Sequence, residues 1–134
     1  MRPHELLLFL PLGYLVTVLV ETPVLLVGLS ARHRLRRRLA AGLWLTACTY
    51  PVVVLVLPLV LAGWSRAAYL AVAETFAPAA ECALFWAAFG ERGEWGRRSM
   101  WRDFAAITAA NLASFGAGEL LSAVGWFGLT GGVL

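Results

Sequence analysis

The 134-residue chain has no lysine, only two cysteines and two histidines, and only 14% charged residues. The low charge content excludes an ordinary soluble domain, and with it a soluble enzyme, a nucleic-acid reader and a disordered tail protein. Two isolated cysteines, Cys48 and Cys82, cannot make a disulfide-stapled module, and there is no Cys-x-x-Cys or methionine cluster for a soft metal. His-Glu-x-x-His, Gly-x-Ser-x-Gly and a phosphate-cradling glycine loop are all missing. These gaps predict no cofactor, no metal, no catalytic residues and no nucleic-acid partner. Acid-base chemistry within the apolar runs would rest on glutamate alone, which leaves an intramembrane enzyme only as an alternative.

Apolar length is what the chain has in excess. Hydrophobic residues make up 60% of it, and its mean hydropathy is +0.76. Four apolar windows, 6–29, 39–62, 67–89 and 104–129, each exceed the roughly 20 residues that cross a hydrocarbon core of about 30 Å as a helix. The expectation is an all-α polytopic membrane protein: a single domain of four transmembrane helices in an antiparallel bundle, with the lipid bilayer as its solvent. The first window carries Glu21 and Pro23 and lacks a small-x-small cleavage pattern, so it reads as a retained helix.

All eleven basic residues are arginine, and nine of them fall in segments 30–38 and 90–103. Only Arg2 and Arg66 belong to the other side. The positive-inside rule therefore places both Arg-rich loops in the cytoplasm and both termini outside, in a bacterial-type inner or plasma membrane. Trp64, Tyr69 and Trp126 are expected at the outer boundary, and Trp44, Trp86, Trp95 and Trp101 near the inner one, as interfacial belts. Small residues recur every four positions at Ala67, Ala71, Thr75, Ala79, Ala83 and Ala87, and again at Ala106, Ala110, Ser114, Gly118 and Ser122. Such faces let helices approach closely in lipid, within one bundle or between subunits, and a homo-oligomer is expected.

The rare polar residues inside the windows repeat. Glu21 lies eight residues before the end of the first window and Glu81 eight before the end of the third. Thr46 and Thr49 occupy the second window as Asn111 and Ser114 occupy the fourth, seven residues after its start and three later. The pattern suggests two repeated helical hairpins. At 1.5 Å per residue, all six residues fall in one layer about 10–15 Å above the Arg-rich ends. Acids at that depth need polar partners, and intramembrane acids are functional by default. Glu74 lies one heptad before Glu81 and would add a second rung, with Pro78 freeing its carbonyl; Pro23 and Pro51 would free those of Leu19 and Ala47. Glu119 does not match the repeat and suits either the outer mouth of a path or a wet periphery. The expected function is a transport protein or channel subunit moving a proton or small cation along Glu21, Glu81, Glu74, Asn111, Ser114, Thr46 and Thr49. The alternative outside transport is a subunit that binds another membrane protein.

Overall fold

The computed structural model describes residues 3–90 and 94–125. Among them the chain forms four long helices and no strand: α1 (Pro3–Gly28), α2 (Leu35–Val60), α3 (Arg66–Phe89) and α4 (Glu94–Ala123). Each is long and apolar enough to cross a membrane. The expected boundary residues Arg2, Arg92 and Trp126, and the side chain of Trp95, lie outside the described residues.

Helix ends differ from the apolar windows on the Arg-rich side. α2 begins at Leu35 and α4 at Glu94, so Arg36, Arg37, Arg38, Arg97, Arg98 and Arg102 stand on helical turns and only part of 30–38 and 90–103 is loop. A hydropathy window registers the apolar part of a helix, and charged turns that continue it are invisible to that criterion. At the other end, Ser65 caps α3 by accepting a hydrogen bond from Ala68 N at 3.2 Å. Gly63 takes φ +89° in the preceding turn, where a Cβ would be strained.

Successive helices run antiparallel. Glu21 meets Thr46 while Leu26 meets Arg38, so α1 and α2 pair in opposite directions. Thr49 meets Glu81 while Val53 meets Tyr69 across α2 and α3. Glu81 meets Asn111 while Arg66 meets Glu119 across α3 and α4. The substantial packing runs α1–α2, α2–α3, α3–α4 and α4–α1, which puts α1 opposite α3 and α2 opposite α4 in a closed square. α1 and α4 approach closely because Gly28 faces Ala106; a Cβ at Gly28 would lie 2.8 Å from that of Ala106.

α2 changes its winding midway. Residues Leu35–Pro51 are α-helical, Val52–Val56 form a π turn, and Leu57–Val60 resume the α-helix. Within the π turn Leu57 N–H donates to Val52 O, and the next residue, Pro58, has no N–H to give Val53 O. The Tyr69 hydroxyl fills that vacancy, donating to Val53 O at 2.7 Å. Tyr69 is therefore buried between helices, in contrast to the boundary anchor that its position in the sequence suggests. Trp44, Trp64, Trp86 and Trp101 are exposed. α1 and α3 pass through Pro11, Pro23 and Pro78 as continuous helices.

The two small-residue faces separate. On α4, Ala106 and Ala110 are buried against the other helices. On α3, Ala67, Ala71, Thr75, Ala79, Ala83 and Ala87 all face outward.

Candidate functional site

Six of the sequence-predicted residues meet in one layer through the bundle. Glu21 and Glu81 are each only 2% exposed, which is costly for a carboxyl group unless its oxygens are hydrogen-bonded. They are. Thr46 donates to Glu21 Oε2 at 2.8 Å and Ser114 to Glu21 Oε1 at 2.6 Å. Thr49 donates to Glu81 Oε1 at 2.6 Å and Asn111 Nδ2 to Glu81 Oε2 at 2.8 Å. Each glutamate thus takes one partner from its own hairpin and one from the other. Exchanging the hairpins, with Glu21 for Glu81, Thr46 for Asn111 and Thr49 for Ser114, leaves the connections unchanged.

The three hydroxyls each have a second acceptor. Thr46 also reaches Gly42 O at 2.8 Å, Thr49 reaches Leu45 O at 3.1 Å, and Ser114 reaches Asn111 O at 2.9 Å. A hydroxyl has one hydrogen and also accepts. Facing an ionised carboxylate it donates to the carboxylate; facing a protonated one it accepts the carboxyl hydrogen and donates to the helix carbonyl. Both protonation states keep the same heavy-atom network. Asn111 is fixed, because its second N–H goes to Ile107 O at 2.9 Å. Glu81 Oε2 must therefore accept, and a proton on Glu81 belongs on Oε1 beside Thr49.

The surroundings of the layer are unequal on its two sides. Toward the Arg-rich end, Leu25, Leu29, Leu45, Phe85 and Ile107 form a closed apolar core. Toward the other end lies a cavity of about 200 Å³ between all four helices, with Thr49 and Ser114 among its lining residues. Glu74 lines this cavity instead of joining the hydrogen-bonded layer. Glu119 lines it too, is partly exposed, and accepts from Arg66 Nη2 at 2.8 and 2.9 Å, so it marks the mouth.

A second polar cluster closes the Arg-rich end, and sequence reasoning missed it. Asp103 on α4 is 1% exposed; its Oδ1 accepts from Ser30 N at 2.8 Å, and its Oδ2 lies 2.8 Å from His33 Nε2 and 3.4 Å from Arg32. Arg32 also donates to Phe89 O and Ser99 Oγ, Arg102 to Gly28 O, and Arg38 to Leu26 O, Ser30 O and His33 O. Much of the Arg-rich composition therefore ties down helix ends, leaving Arg34, Arg36, Arg97 and Arg98 exposed. The Asp103 signal was available in the four-residue spacing of the buried Asp103, Ile107 and Asn111, but the acid lay in a segment read as loop.

Cys48 is exposed and Cys82 is half-buried, donating weakly to Phe104 O; both are free thiols. Among the described residues no three metal-ligating side chains converge. Comparison of the chain with protein-family models, curated proteins and solved structures finds no match.

Proposed function

We propose that the protein is a small integral membrane transport protein that carries a proton or small cation by way of the Glu21–Glu81 layer. One observation carries this reading. Two buried carboxyl groups sit in a network that accommodates either protonation state, at the floor of a cavity with an exposed mouth. Fixed structural glue has no need of hydroxyls that can reverse. The apolar core on the far side favours a carrier with access from one side at a time over a continuously open pore. Both Arg-rich segments gather at the closed end, consistent with a cytoplasmic position under the positive-inside rule and with termini outside. The outward alanine face of α3 supports a homo-oligomer, since small residues permit close helix contact in lipid.

Reconstitution into proteoliposomes with an internal pH dye tests the reading. Wild-type protein is expected to dissipate an imposed proton gradient, and Glu81→Gln and Glu21→Gln each to reduce the flux at least tenfold. Equal flux in all three proteins would reject transport through this layer and leave the assembly-partner alternative.

A further inference from the structure

The cavity above the layer has a chemistry of its own. Its volume of about 200 Å³ corresponds to roughly seven waters at ~30 Å³ each, too large for one bare ion and below the usual range for drug-sized ligands. Its wall is largely apolar, with Phe9, Tyr50, Tyr69 and Phe115 supplying four aromatic rings. Two acids lie in it. Glu119 is neutralised by Arg66, whereas among the described residues no donor reaches the half-buried carboxylate of Glu74. Glu74 thus provides the cavity's one acid without a partner among the described residues.

The Tyr50 ring lines the same space, with its hydroxyl turned against α1. The Tyr50 hydroxyl is buried without a hydrogen-bond partner among the described residues, although such groups normally find one. It fits beside α1 because residue 13 is glycine, where any Cβ would collide with the hydroxyl. A carboxyl group without a partner among the described residues and four aromatic rings around a small apolar space suit a ligand with an apolar body and one positive charge. A hard metal ion would need about six oxygen ligands. Among the described residues no three His, Cys, Asp or Glu side chains converge to hold one, and the Thr49 and Ser114 hydroxyls are engaged by Glu81 and Glu21. An organic cation is weakly hydrated and gains from aromatic neighbours as well as from the carboxylate.

We propose that this cavity binds a small organic monocation, an amine or quaternary ammonium with an apolar body, with Glu74 as its counter-ion. The inference names the cargo class for the transport reading and rests on that reading for its biological meaning, but its test is binding.

The probe is benzyltrimethylammonium, whose charge does not titrate, added to purified full-length protein in nanodiscs and followed by calorimetry against empty nanodiscs. Phenylacetate serves as the anionic control. Two variants accompany the wild type: Glu74→Gln, and Gly118→Leu, which fills the cavity from a position where an added Cβ meets nothing within 4 Å. Expected are saturable binding of the cation, at least tenfold weaker binding in both variants, and no binding of phenylacetate. Absence of saturable binding, unchanged affinity in either variant, or equal binding of phenylacetate would overturn the proposal. If the cation fails to bind while proton flux still depends on Glu21 and Glu81, only the cargo assignment falls. If it binds as expected while flux ignores both glutamates, the transport reading falls and the binding site stands.

Discussion

His33 has a protonation state that its two neighbours define. Its Nδ1 lies 3.3 Å from Arg37 Nη1, which can only donate, so Nδ1 accepts and the ring proton sits on Nε2, facing Asp103 Oδ2 at 2.8 Å. A second proton would have to sit on Nδ1 against a guanidinium. Burial pushes the His33 pKa below its ordinary value of 6.5, and the hydrogen bond and charge of Asp103 only partly oppose that shift. The folded chain therefore binds fewer protons here than the unfolded chain just below pH 6.5, and folding stability rises with pH in that interval. Detergent unfolding curves are expected to show this stability fully present above about pH 6.5 and declining as the pH falls below it. His33→Gln should flatten that part of the profile, and a slope identical to wild type would contradict the assignment. The same residue scale explains what the sequence could reveal. Glu21, Thr46, Thr49, Glu81, Asn111 and Ser114 were legible because polar residues are scarce in apolar windows and depth follows from counting. Asp103 was not, because among arginines an acid carries no contrast.

At the scale of one element, α2 shows why a continuous apolar run conceals its own geometry. Val52–Val56 is a stretch of Val and Leu with no polar contrast to mark a change in winding, and the sequence reading expected Pro51 to act by freeing Ala47 O. The residue with the visible consequence is Pro58, whose missing N–H leaves Val53 O to be satisfied from α3 by Tyr69. Such a wide turn also brings Val53 and Val54 to the cavity wall. Removing the Tyr69 hydroxyl strands a carbonyl, at a cost of about 1–2 kcal/mol. Replacing Pro58 by alanine supplies an N–H that can take its place. A double-mutant cycle in detergent unfolding should therefore find Tyr69→Phe destabilising in the wild-type background and nearly neutral beside Pro58→Ala. Additive effects would mean that the hydroxyl and the proline act independently.

Across the whole molecule, the two hairpins are joined by more than the turn at residues 61–65. α1 and α2 share an interface, as do α3 and α4, but the polar layer ties each glutamate to the opposite hairpin through Ser114–Glu21 and Thr49–Glu81. The sequence repeat suggested two similar hairpins, and it could not show this exchange, because spacing along a chain gives depth and says nothing of which neighbour a side chain selects. Exchanged bonds make association of the halves partly a matter of buried polar chemistry, since burial of apolar area drives little between helices in lipid. Chains 1–62 and 63–134, expressed together, should therefore assemble and co-purify, with the cut falling at an exposed turn. Interhelical hydrogen bonds in membranes are worth on average about 0.6 kcal/mol each, so Thr49→Val with Ser114→Ala should weaken association by about 1 kcal/mol, or roughly fivefold. Thr46→Val removes a bond within one hairpin and should leave the association of the halves much less affected. Equal loss in the two cases, measured by fluorescence transfer between labelled halves in one detergent, would mean that the layer stabilises each hairpin internally and that packing alone holds the two together.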